Sequence, residues 1–187
     1  MTRAALCLAL VLVAAPLIPS GAPRPQMSGP PPSKLTILRI LFDAAREFHL
    51  DPGLVLSVAI AESSLNPDTK SFRWVRVDPV KDRNRWDFEP GMLYRRETVA
   101  RGLMQISVQY QDELVAKYLG WCPRNFDWAN PVHSAKLGCA YLSALIKRSG
   151  TWGGVASYNC GPGRFDQLAK GRPLPAETVE YIRRVLG

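Results

Sequence analysis

From residue 34 onward, apolar residues recur at intervals of three and four, in blocks parted by proline, glycine and small polar residues. That period belongs to amphipathic helices. Ser33 caps the first block, where Leu35, Leu38, Phe42, Ala45 and Phe48 mark one face. Asp51-Pro52 opens the second with an N-cap and a first-turn proline, leading into Leu54, Val55, Val58 and Ala59. Leu56 and Ile60 widen that stripe until most of the circumference is apolar, which places the helix inside the domain. Its first carboxylate is Glu62, one turn before Asn66-Pro67 forbids continuation. The connection between these two helices is short, so they pack as neighbours.

Later blocks repeat the pattern. Ser107 reads as the cap of a helix stopped by Gly120, and Asn130-Pro131 opens one that buries Val132, Ala135, Cys139, Leu142 and Ile146 before Gly150 ends it. A short helix of small residues follows from Thr151 to Asn159, then a turn at Cys160-Gly161-Pro162-Gly163 and a helical turn or two over Arg164–Lys170. The last amphipathic helix runs from Pro175 to Leu186 through Val179, Ile182 and Val185.

One stretch breaks the period. Between Asn66 and Arg101, basic and acidic residues alternate with Trp74, Trp86, Phe88 and Tyr94, and Pro79, Pro90 and Gly91 punctuate the run. So long an irregular segment is either a groove wall whose rings meet a ligand or a solvated, charge-balanced loop. Short strands around Phe72–Val77 fit within it. After it, Gly102-Leu103-Met104-Gln105-Ile106 reads as buried backbone with one polar handle, Gln105, whose amide must find partners. The fold class is therefore mainly α, with a long irregular insert.

Charge narrows the partners. A formal charge of +8 and a pI near 9.6 favour polyanions. Basic residues are mixed with acids, no basic helix stands out and no glycine-rich phosphate loop follows a strand, so nucleic acid is not expected. An acidic wall polymer or a membrane face suits the charge as well. Arg3, the apolar run Ala4–Ile18 and Ser20-Gly21-Ala22 form a secretory signal over residues 1–22, shorter than the ~20 apolar residues of a membrane span. Pro23 disfavours cleavage there, which leaves membrane proximity through an uncleaved signal open. Residues 23–33 form a proline-rich tether and 34–187 the folded domain. The chain is expected in the periplasm or cell envelope.

Export exposes Cys122, Cys139 and Cys160 to an oxidising compartment. Three cysteines allow one bridge, and Cys122 with Cys139 is the expected pair. No close Cys/His pair suggests zinc, and no metal is expected. His49 and His133 read as surface or packing residues. The residues alone leave Glu62 with two readings. It is the solvated end of a core helix, or a desolvated carboxyl whose raised pKa suits a general acid.

Four stretches, in order, decide between them: Glu62-Ser63; Gly102-Leu103-Met104-Gln105-Ile106; Ala156-Ser157-Tyr158-Asn159-Cys160-Gly161-Pro162-Gly163; and Glu177-Thr178-Val179-Glu180-Tyr181. Together they resemble the lytic transglycosylase catalytic domain, with its goose-lysozyme-like fold, of glycoside hydrolase family 23. The resemblance covers residues 35–187. It implies a lysozyme-like helical domain acting on peptidoglycan without a cofactor. It makes Glu62 the single acid/base at the MurNAc–GlcNAc bond and the sugar's own C6 hydroxyl the nucleophile, giving 1,6-anhydro ends. By the same resemblance Ser63 helps hold the carboxyl or the substrate, Met104 and Gln105 line the cleft, and Tyr158 and Asn159 fix the reacting centre. Glu177 and Tyr181 brace the site, with Tyr181 facing the carboxyl.

Two departures stand out. The insert is longer and more charged than the family's connection, and Asp78, Asp82 or Asp87 in it could serve a hydrolytic muramidase. Cys160 also stands where a smaller residue is commoner. A non-catalytic glycan-binding assembly protein on the same fold is the remaining alternative.

Overall fold

The structure, a computed structural model, describes residues 32–78, 80–81 and 92–187. The expected signal, most of the tether, and Asp82, Trp86, Asp87 and Phe88 lie outside the described residues.

Helices dominate, as their caps dictate. Helix α1 (Lys34–Glu47) starts where the Ser33 hydroxyl accepts the Thr36 N–H at 3.1 Å. Its buried face is Ile37, Leu41, Ala44 and Ala45, and Leu35 is exposed. The expected stripe is thus rotated, with Ile37, Leu41 and Ala44 rather than Leu35, Leu38 and Phe42 facing the core. Helix α2 (Pro52–Ser63) begins on Asp51, whose carboxylate accepts the Leu54 N–H at 2.7 Å. It ends on Ser64 in the left-handed region, one residue beyond Ser63. Val55, Val58 and Ala59 are buried, while Ile60 remains half exposed.

Part of what the sequence left irregular is sheet. Strands β1 (Lys70–Arg76), β2 (Tyr94–Arg101) and β3 (Ile106–Ser107) form an antiparallel sheet in that order. A bulge interrupts the β1–β2 register between Ser71 and Phe72. Ser107 therefore belongs to β3, opposite Ala100, and caps no helix. The next helix, α3 (Gln111–Leu114), starts later and continues as a π-helical turn over Val115–Leu119, closing on Gly120 at φ +65°.

Helix α4 (Pro131–Cys160), capped by Asn130, is two helices joined across Ser149 and Gly150, whose backbone angles are non-helical. Helix α5 (Pro162–Phe165), a 3₁₀ turn over Leu168–Lys170 and α6 (Ala176–Leu186) complete the chain. Helices α1, α2, α4 and α6 enclose one core with Leu103 and Met104 at its floor. A smaller cluster of Ile106, Val115, Phe126 and Leu137 supports the α3 side. Val132 is exposed rather than buried, and His133 is a packing residue against Trp121 and Phe126. Among the described residues no helix is long and apolar enough to cross a membrane.

The expected Cys122–Cys139 bridge is absent, and all three described cysteines are free thiols. The reason is placement: Cys139 is sealed in the main core while Cys122 is exposed on a surface loop. Burial pushes the Cys139 thiol up to about 12, so it stays protonated and inert.

One contact fixes the floor of the core. A Cβ on Gly138 would fall 2.4 Å from the Met104 side chain, which is fully buried. Gly138→Ala is expected to destabilise the fold by about 1–3 kcal/mol through overpacking. Urea unfolding midpoints check this, and an unchanged midpoint would mean that Met104 yields freely.

Candidate active site

The end of α2 meets the middle of α6 at one hydrogen bond. Glu62, in the last turn of α2, accepts the Tyr181 hydroxyl at 2.7 Å. Burial is the main influence on this carboxyl and lifts its pKa from 4.5 to about 7. The Tyr181 hydrogen bond and the Arg184 charge pull it down, and Glu177 pushes it up. Glu62 is thus poised to give up and regain a proton near neutral pH. Tyr181 is itself buried, and Arg184 stacks over its ring at 5.9 Å. Burial and the Glu62 charge hold the Tyr181 phenol well above its ordinary pKa, so it stays a donor. Glu177 is exposed and acts on the carboxyl by charge.

The neighbouring motif residues divide their work. Ser63 donates to the Ala59 carbonyl at 3.1 Å, within its own helix, so its hydroxyl does not hold the carboxyl. Met104 was expected to line the cleft, but its side chain is in the core. Its backbone serves instead, donating to Ser134 Oγ at 3.3 Å and accepting the Tyr158 hydroxyl at 2.8 Å. Gln105 has a left-handed backbone at φ +45°. Its amide nitrogen donates to the Thr69 carbonyl at 2.9 Å and the Gly102 carbonyl at 2.8 Å, and its oxygen accepts Ser71 at 2.6 Å. The polar handle therefore ties the foot of β1 to the loop before β3.

Beside these residues lies a groove of about 720 Å³. Val99, Ala100 and Gln105 form its sheet side, and Tyr110, Glu113, Lys117 and Tyr118 its α3 side. Tyr158, Asn159 and the turn from Cys160 to Arg164 complete it. Glu62 does not itself line this groove. It stands close enough to Tyr158, which does, for its charge to raise that phenol's pKa, second to burial. Asn159 turns its oxygen to Thr178, which donates at 2.8 Å.

Several contacts around the site escaped the sequence reading. Thr178 is buried, holds Asn159 and also reaches the Cys160 thiol. It sits inside the Glu177–Tyr181 motif, one residue from a position that was singled out. Tyr118, Tyr141 and Tyr158 form a ladder with ring centroids 5.8 and 5.6 Å apart. Their separation in sequence hid it, although Tyr110, Leu114 and Tyr118 fall at helical intervals on the α3 segment. Of the insert's carboxylates, Asp78 is half-exposed, and the Val80 and Lys81 N–H groups hold its pKa below the usual carboxylate value, which suits a turn cap rather than a proton donor. Among the described residues no three His, Cys, Asp or Glu side chains cluster as metal ligands would.

The family described as the transglycosylase SLT domain matches residues 39–174. No curated protein sequence matches the chain. Among solved structures, an inactive mutant of lytic transglycosylase Slt from Pseudomonas aeruginosa is similar at 23% identity and a TM-score of 0.57, over 79% of this chain and 22% of that one. The 70 kDa soluble lytic transglycosylase of Escherichia coli is similar at 22% identity and a TM-score of 0.58, over 81% of this chain and 23% of its own. The chain therefore spans under a quarter of either relative, and at these identities the likeness concerns the fold.

Proposed function

The chain belongs to the transglycosylase SLT domain family, and from that premise we propose that it is an exported lytic transglycosylase of peptidoglycan with Glu62 as its single acid/base. The observation that carries this reading is the partly buried Glu62 carboxyl, shifted to about 7 and held by Tyr181 beside the Tyr158 wall of the groove. In the first step Glu62 gives its proton to the glycosidic oxygen between MurNAc and GlcNAc as the C1–O bond breaks. The MurNAc C6 oxygen then bonds to C1, and its proton passes to the Glu62 carboxylate. The carboxyl is restored and no water is consumed.

One carboxyl suffices for this chemistry because the nucleophile is already attached to the substrate. An intramolecular hydroxyl in near-attack geometry can be worth ~7–11 kcal/mol, which replaces an activated water. Tyr158 and Asn159 act as contacts for the sugar beside the scissile bond, and Gln105 fixes the opposite wall. Export follows from the substrate, which lies outside the cytoplasm, and agrees with the apolar N-terminal run.

Mass spectrometry of digested peptidoglycan tests the proposal. Products 18 Da lighter than hydrolysed ones, the mass of the water not consumed, are expected, with 1,6-anhydroMurNAc ends. Reducing ends would instead make the protein a hydrolytic muramidase, and an absence of cleavage would leave a glycan-binding protein.

A further inference from the structure

The outward face of the β1–β2 hairpin is not used by the chemistry above. Register places Phe72, Trp74 and Arg76 opposite Thr98, Arg96 and Tyr94, and strand alternation puts all six on one face. Trp74 is 71% exposed, Tyr94 57% and Phe72 42%. Scattered exposed rings are ordinary, but three on one sheet face mark a contact surface. The Arg96 guanidinium lies 4.0 Å from the Phe72 ring centroid, so ring and cation are presented together.

The charges of the hairpin are sorted by face. Glu97 points to the other side, where it pairs with Arg73 and Arg95. Arg76 and Arg96 share the aromatic face, and no carboxylate among the described residues pairs with either. This face is a cationic, ring-bearing strip. The same hairpin supplies part of the groove wall at its base. Val99 is the extra residue between the Phe72–Thr98 and Ser71–Ala100 pairs, and both Val99 and Ala100 line the groove wall. Ser71, at the foot of the same strand, bonds to Gln105.

We propose that this face is an accessory binding surface for the part of a peptidoglycan strand that extends beyond the groove. The inference rests on the reading of the groove as a peptidoglycan cleft. The C–H faces of sugar rings stack on Trp74, Tyr94 and Phe72, and the carboxylates of the stem peptides pair with Arg76 and Arg96. Tryptophan, tyrosine and arginine also suit an anionic bilayer surface. Proximity favours the polymer, since the strand that carries Tyr94 and Arg96 also supplies Val99 and Ala100 to the groove wall.

Co-sedimentation decides the matter, using the full chain carrying Glu62→Gln so that binding does not depend on turnover. The probes are intact peptidoglycan sacculi, sacculi stripped of stem peptides by an amidase, and phosphatidylglycerol vesicles. Trp74→Ala with Tyr94→Ala is expected to weaken binding to both kinds of sacculi about tenfold. Arg76→Ser with Arg96→Ser is expected to weaken binding to intact sacculi about tenfold and to stripped sacculi far less. Unfolding midpoints confirm that each variant is folded. Intact-sacculus binding indifferent to all four substitutions overturns this inference alone. Vesicle binding that needs Trp74 and Tyr94, with sacculus binding unaffected, overturns it in favour of a membrane contact. No binding to sacculi at all overturns the reading of the groove and this inference with it.

Discussion

Glu62→Gln is expected to lower the rate of peptidoglycan cleavage by roughly a hundredfold to ten-thousandfold, the usual range for losing a general acid and base. Glutamine is the right probe because its amide oxygen can still accept the Tyr181 hydroxyl, so the α2–α6 contact survives while the transferable proton is lost. Turbidity clearing of sacculi measures the effect, and equal clearing by both proteins would remove Glu62 from the mechanism. The same substitution has a second signature. The folded state holds a proton on Glu62 up to about pH 7, whereas the unfolded chain releases it near 4.5. Stability from this group is therefore complete below 4.5 and is lost as pH rises through about 7. Glutamine removes that loss, so the variant should be the more stable protein at pH 8, by at most about 3 kcal/mol. Urea unfolding at pH 5 and pH 8 checks the sign.

Tyr181→Phe is expected to move the alkaline limb of the pH–rate profile upward by about one unit. The Tyr181 hydrogen bond lowers the Glu62 pKa, so its removal leaves burial less opposed and keeps the carboxyl protonated to higher pH. Turnover at the optimum should nevertheless fall about tenfold, because the carboxyl loses the bond that aims it. A purely structural tyrosine would change stability without moving the limb. A limb that stays in place, or moves to lower pH, removes Tyr181 from control of the acid.

Helix starts were legible because local chemistry writes them: Ser33, Asp51-Pro52 and Asn130-Pro131 cap α1, α2 and α4 where the side chains suggest. Of the hairpin only β1 was legible, as a short strand around Phe72–Val77; its partner β2 stayed hidden inside the irregular insert because its residues mix both charges and carry few apolar side chains. Ser107 misled for a related reason. A serine before a polar-apolar run looks like a cap, and its pairing with Ala100 depends on a strand that the pattern hides. Glu62 could be singled out as the first carboxylate on an apolar helix. Its bond to Tyr181 spans 119 positions and no spacing rule reaches that far. The family resemblance supplied that pairing, while Thr178 and the tyrosine ladder needed coordinates. The expected disulfide failed because sequence separation says nothing about depth, and Cys139 lies at the bottom of the core.

Gln105 has a mechanical consequence. One side chain bonds to Ser71 on the hairpin, to Thr69 just before it and to Gly102 in the loop, while its own backbone is held in a conformation that non-glycine residues avoid. The hairpin therefore cannot swing outward without unlatching the residue that shapes the cleft. Any displacement of the hairpin is thereby carried to the groove wall that Gln105 lines.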